Sequence, residues 1–181
     1  CTPCSSASTR RSMNVRERAA PYLIAALLGA ASVLAFAPAG CFALSWLTLG
    51  GLFLLLEKTS QAAGNPAQTM RRGALSGAAF GGGLFVTGVS WIYVSLSGFG
   101  GMPPPLAALA TLLFCAVLAL YPAAAGALYV RFVPHTGWQR SLLFAALWTI
   151  SEWLRGWMLT GFPWLATGYA QTPPSPLAGF A

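Results

Sequence analysis

Glu152 and Arg155 stand inside an otherwise apolar stretch, Leu142 to Leu159, and Phe162-Pro163-Trp164 follow almost at once. An ionised side chain at the centre of a bilayer costs roughly 2.5–3.5 kcal/mol on insertion scales. Only three residues of this chain are acidic, so placing one of them here needs a reason. On a helix, Trp148, Glu152, Arg155 and Leu159 share a face. Glu152 and Arg155 can therefore pair along their own helix, which is cheaper than burying either charge alone. Two readings stay open. The pair satisfies itself inside a bundle and fixes helix order, or Arg155 meets a phosphate or carboxylate through its planar fork of donors. Gly161 and Pro163 break the helix, so Phe162 and Trp164 must sit on irregular backbone. At membrane depth such backbone is tolerated only where protein or water covers it. An aromatic pair there suits the mouth of an acyl-chain pocket, whereas Trp153 and Trp157, on another face, suit an interfacial belt.

No other group of residues completes a catalytic set. The chain has no Ser/His/Asp candidate, no Gly-rich phosphate loop and no metal-ligand spacing, so neither a catalytic residue nor a metal is assigned. Cys1-x-x-Cys4 lacks the second pair of ligands that a structural zinc needs. Cys115 lies deep in an apolar run, where a thiol is inert. His135 is a lone loop histidine in a basic connection, expected to be solvated.

The elements that must position these residues follow from composition. Of 181 residues, 56% are hydrophobic and 7% charged, against roughly 25% charged in a soluble domain. The net charge of +7 does not indicate nucleic acid, because the basic residues sit at the ends of apolar runs rather than among stacking aromatics in a polar groove. Apolar segments run over 19–37, 41–56, 73–96, 105–130 and 142–159. A span needs about 20 apolar residues, with a range near 17–25; four segments fit and the second is short. Only helices or closed barrels satisfy the backbone in lipid, and no strand-length alternation is visible. The fold class is thus all-α, a multi-pass transmembrane helix bundle of about five spans.

Orientation follows from the cations. Arg10, Arg11, Arg16 and Arg18 precede the first span, Lys58, Arg71 and Arg72 fall between the second and third, and Arg131 and Arg140 between the fourth and fifth. Alternate connections carry none. This is the positive-inside pattern with a cytoplasmic N-terminus. Residues 1–18 then form a cytoplasmic, disordered tail, residues 19–181 the membrane domain, and 160–181 an outer, re-entrant-like segment. Ala35-Phe36-Ala37 resembles a signal-peptidase site, but with four more spans after it the first is expected to remain as an anchor. Gly73-x-x-x-Gly77-x-x-x-Gly81 places small residues on one helix face, for close packing or for a hinge where a lipid slips between helices. A small transporter subunit with Glu152 and Arg155 lining a polar path is an alternative, although such a path usually draws on several helices. A non-enzymatic membrane scaffold using the Gly-rich third span is another.

Several stretches are familiar together. Leu34-Ala-Phe-Ala-Pro38, Trp91-Ile-Tyr-Val-Ser95, Phe99-Gly-Gly-Met-Pro103, Glu152-Trp-Leu-Arg-Gly156, Leu159-Thr-Gly-Phe-Pro-Trp-Leu165, Gly168-Tyr-Ala-Gln171 and Pro176-Leu-x-Gly179 resemble the bacterial apolipoprotein N-acyltransferases. The resemblance covers about residues 20–181. It implies an eight-span inner-membrane enzyme whose periplasmic nitrilase-like domain holds a Glu-Lys-Cys triad. The cysteine takes an acyl chain from a phospholipid acyl donor as a thioester. It passes that chain to the α-amino group of a diacylglyceryl-apolipoprotein acceptor, two half-reactions at one activated nucleophile. No cofactor is implied. The triad has no counterpart among these residues, so the chain alone is expected to be an inactive fragment of the membrane half. The pattern departs at Ala170, where the family often has serine. By the same resemblance Phe162, Pro163 and Trp164 are expected to shape the acyl-chain entrance, with Glu152, Arg155 and Gly161 supporting that loop.

Overall fold

A computed structural model of the chain describes residues 15–62 (15–18 by backbone alone), 64–158, 161–172, 175, 176 and 178. The tail before residue 15, with Cys1 and Cys4, and Leu159, Thr160 and Gly179 lie outside the described residues. All regular structure among the described residues is helical: α1 (Val15–Ser32), α2 (Phe42–Gln61), α3 (Pro66–Gly88), α4 (Trp91–Val94), α5 (Pro104–Phe132) and α6 (Gly137–Trp157). By length and composition, α2 and α5 can cross a membrane, and so can α3 with its continuation Trp91–Phe99 if that pair, bent by 45°, is one span. The apolar stretch Ala19–Ala35 is shorter.

The helix bounds differ from those of the apolar segments that mark them. The short second segment, 41–56, becomes a 20-residue helix that carries Lys58 in its last turn. Arg71 and Arg72, expected in a connection, lie within α3, which begins at Pro66 where Asn65 caps it by accepting a bond from Ala67 N at 3.0 Å. A proline at the first helical position and an Asn cap start a helix wherever the depth in the membrane lies. The uninterrupted third segment, 73–96, is instead broken after Gly88.

α3 is the central helix, and glycine puts it there. A Cβ on Gly77 would lie 2.0 Å from the Pro122 carbonyl oxygen of α5, and one on Gly83 would lie 2.0 Å from the Ala26 carbonyl oxygen of α1. Two faces of α3 thus meet the backbones of two neighbours directly, the close approach that small residues permit between membrane helices. The stripe Gly73-Gly77-Gly81 is a packing surface against α5. Around this contact Phe80, Phe85, Leu52, Leu56 and Tyr129 are fully buried. The outside is apolar as well: Leu27, Leu47, Leu109, Leu113 and Leu120 are each more than 60% exposed, a surface suited to lipid rather than water.

Candidate functional site

α6 ends at Trp157, and the chain returns across the ends of α2 and α3 instead of continuing. Gly161 makes the return possible. Its φ is +74°, and a Cβ there would lie 2.3 Å from the Gly156 carbonyl oxygen, so neither the conformation nor the space admits a side chain. Gly161 N donates to Met158 O at 3.0 Å. Phe162 N donates to Arg155 O at 2.9 Å.

Arg155 and Glu152 both bond to this returning segment. Arg155 is 3% exposed, and its Nη1 donates to Phe162 O at 2.8 Å and to Trp164 O at 2.5 Å. Phe162 is therefore held by Arg155 twice, once through the main-chain carbonyl and once through the guanidinium. The guanidinium also lies over the Phe85 ring, its Cζ 5.1 Å from the centroid. Glu152 Oε1 accepts from Thr167 N at 2.9 Å and from Thr167 Oγ1 at 2.7 Å. Thr167 Oγ1 in turn accepts from Trp148 Nε1 at 3.0 Å. The direct pairing of Glu152 with Arg155 that one helix face allows is not what forms: the ion pair among the described residues is Arg140–Glu57. Backbone groups of the returning segment, which a helical wheel does not contain, take the place of the partner charge. Opposite charges one helical turn apart still offset each other in this buried setting.

The three aromatic-loop positions separate. Phe162 is half-buried, its ring edge-on to Phe114 of α5 at 5.0 Å. Pro163 is exposed. Trp164 is 52% exposed and packs edge-on against Trp91 of α4, centroids 6.0 Å apart. Leu165 then turns inward with φ +60°, buried against the Gly88 position of α3. A non-glycine residue in that region costs roughly 1–2 kcal/mol, offset here by burial of the leucine. Trp153 and Trp157 are 64% and 58% exposed on another face of α6. Cys115 is buried and His135 exposed.

Sequence reasoning missed three parts of this arrangement. Thr167 is the hub between Trp148 and Glu152, and a lone threonine carries no signal of it. Gln171 Nε2 donates to Ser45 Oγ at 3.1 Å and its Oε1 accepts from Ser175 Oγ at 2.8 Å, pinning the Thr167–Gln171 turn to the start of α2. At the far end of the bundle, Arg140 Nη1 donates to Glu57 Oε2 at 2.7 Å, Tyr129 Oη donates to Glu57 Oε1, and Arg140 Nε donates to Pro134 O at 2.8 Å. The signal for Glu57 was its rarity as one of three acids; its partner stands 83 residues away.

Chemically the site is a rigid mount. The cavity bordered by Leu84, Phe85, Tyr121, Pro122, Glu152 and Arg155 holds only about 10 Å³, about the room of one water. Arg155 Nη1 donates to two carbonyls, and what reaches the surface is the apolar edge of the loop at Pro163 and Trp164. Among the described residues no group of His, Cys, Asp and Glu could hold a metal ion.

Comparison with known proteins gives the arrangement its place. The sequence profile of the apolipoprotein N-acyltransferase N-terminal domain matches residues 28–181. Apolipoprotein N-acyltransferase of Nitrosomonas europaea is 47% identical over 160 residues, which are 88% of this chain and 31% of that protein. The proteins of the same name from Chromobacterium violaceum and Vibrio parahaemolyticus are 45% and 44% identical, again over 88% of this chain and over 29% and 30% of theirs. The chain thus spans about 30% of the length of the curated relatives it matches. With the profile covering most of its length, the chain belongs to the apolipoprotein N-acyltransferase family, whose N-terminal domain it carries.

Proposed function

We propose that this chain is the membrane part of an enzyme that moves an acyl chain from a phospholipid to the N-terminal diacylglyceryl-cysteine of lipoproteins, in the bacterial inner membrane. The observation that carries the reading is the family match over residues 28–181. The Glu-Lys-Cys chemistry of the reaction is assigned to no residue of this chain, which acts as anchor and lipid-side wall. Residues 19–181 form that membrane domain and cross the bilayer five times, through α1, α2, the bent α3 with its continuation, α5 and α6. The N-terminus and residues 1–18 are cytoplasmic, and the segment from 160 onward faces the periplasm. The alternation of basic connections supports that orientation.

Within this reading Phe162, Pro163 and Trp164 line the entrance by which a phospholipid acyl chain reaches the reaction centre. Glu152, Arg155 and Gly161 hold the loop and touch no reacting atom. Support comes from the exposed Trp164 ring resting on Trp91, an apolar ledge on a backbone fixed by Arg155. In the full-length protein that carries this domain, Trp164→Ala is expected to slow lipoprotein acylation at least about tenfold while leaving the amount of folded protein unchanged. Glu152→Gln is expected to do the reverse, lowering the folded amount more than the specific activity. Wild-type acylation by the Trp164 variant would remove the entrance from the account.

A further inference from the structure

A cavity of about 410 Å³ opens at the end of the bundle opposite the loop, among α1, α2 and α3. Its position follows from the helix directions. Ser45, which meets Gln171, is near the start of α2 and Lys58 in its last turn, whereas Arg71 lies in the first half of α3 and Gly88, which meets Leu165, at its end. Lys58, Arg71 and Arg72 border the cavity, with Leu55, Leu75 and Tyr22 along the apolar part of its wall. Its volume is in the range of small-ligand sites, roughly 300–1,000 Å³.

Three cations share this space, and no described side chain that borders it is acidic. Among the described side chains, the carboxylate nearest in sequence, Glu57, is committed elsewhere: it accepts from Arg140, Tyr129 and Gln61. Glu152 is at the other end of α6 from that network and is bonded to Thr167. Lys58 and Arg71 are exposed and Arg72 is half-buried, so an anion can reach all three, and the wall is amphipathic in the way a headgroup with an attached acyl chain is. A free anion would gain nothing from Leu55, Leu75 and Tyr22.

We infer that this cavity holds the phosphate of an anionic phospholipid headgroup, with Lys58, Arg71 and Arg72 around the phosphate and the first acyl carbons against the leucines. The site goes beyond the acyl-transfer reading. It lies at the far end of the bundle from the loop, and its lipid is retained rather than consumed.

The intact protein, purified in neutral detergent, is titrated with phosphatidylglycerol or with phosphatidylcholine of the same acyl chains, and bound lipid is counted by native mass spectrometry. Each cation near a membrane surface is worth roughly fivefold in anionic-lipid affinity, so phosphatidylglycerol is expected to bind at least about tenfold tighter. Arg71→Gln with Arg72→Gln should cut the preference to about the fivefold that Lys58 alone supplies, whereas Arg131→Gln, on a cation outside the cavity, should leave the preference intact. Arg71→Lys with Arg72→Lys should retain most of it, which separates charge from misfolding. If the double glutamine variant does not fold, the wild-type preference must still collapse as salt rises. Equal binding of the two lipids, or a preference indifferent to salt, overturns the inference. Inorganic phosphate that displaces the lipid at millimolar concentration would make a free anion the occupant and overturn the lipid assignment.

Discussion

Arg155→Ala should release the loop and leave the bundle standing. Two charge-assisted hydrogen bonds disappear, to Phe162 O and Trp164 O, together with the contact over the Phe85 ring. Hydrogen bonds to a charged group contribute about 1.5–3 kcal/mol each, and a cation–π contact about 0.5–2 kcal/mol. The lower bounds together reach roughly 3.5 kcal/mol, more than two powers of ten in an opening equilibrium. The effect should be local, because α1, α3 and α5 are held by glycine-mediated backbone contacts that Arg155 does not touch. Amide hydrogen exchange reads it directly. The amides of Phe162, Thr167 and Tyr169 are each bonded, to Arg155 O, Glu152 Oε1 and Ala166 O. They should exchange at least about a hundredfold faster in the variant, while amides in the middle of α3 change by less than about threefold. Unchanged loop amides would refute the claim that Arg155 mounts the loop. Equal acceleration in α3 would refute the claim that the mount is separate from the bundle.

Three further outcomes follow from the same geometry. Gly161→Ala should destabilise the return from α6 by roughly 1–3 kcal/mol, read as earlier proteolysis between α6 and Thr167 with the helices intact. Gly77→Val should cost more than Gly82→Val in thermal stability, because Gly77 faces the Pro122 carbonyl at 2.0 Å and Gly82 faces open space; equal costs would remove the glycine packing argument. Glu57→Gln should lower the melting temperature, and adding Arg140→Met should recover part of the loss, since a lone partly buried charge is worse than none; strictly additive losses would show that the pair is not coupled.

The helical class was legible because apolar runs of membrane length, separated by Pro and Gly, leave the backbone few alternatives. The ends were not. Lys58, Arg71 and Arg131 read as connection residues, yet helices continue through them because a lysine or arginine stem lies along apolar surface while its head stays wet. The bend after Gly88 had no proline to announce it, and there α3 receives Leu165 from the returning segment, a tertiary contact with no local signature. In the candidate site, the anomaly of a Glu and an Arg in an apolar run singled out two side chains that bond to the returning segment, and the positive φ of Gly161 agrees with a helix broken there. The i, i+3 spacing pointed to the wrong bond. It allowed Glu152 and Arg155 to satisfy each other, whereas the carbonyls of Phe162 and Trp164 and the Thr167 amide compete better once the chain folds back. A pairing rule confined to one helix cannot see a segment that arrives from beyond its end. The Glu57–Arg140 pair was hidden for the same reason.

The central claim is that the loop after α6 touches the acyl chain of a phospholipid while Arg155 and Glu152 only hold it. Photo-crosslinking tests this most directly. A photoreactive residue replaces Trp164 in the full-length protein, or Trp153, which is at least as exposed but lies on another face of α6. Membranes carry a phospholipid with a labelled acyl chain. The account predicts capture of the label at position 164 several-fold above that at 153, and loss of the excess when Arg155→Ala is added. Equal capture at both positions would mean that Trp164 meets only bulk lipid, and would contradict the account.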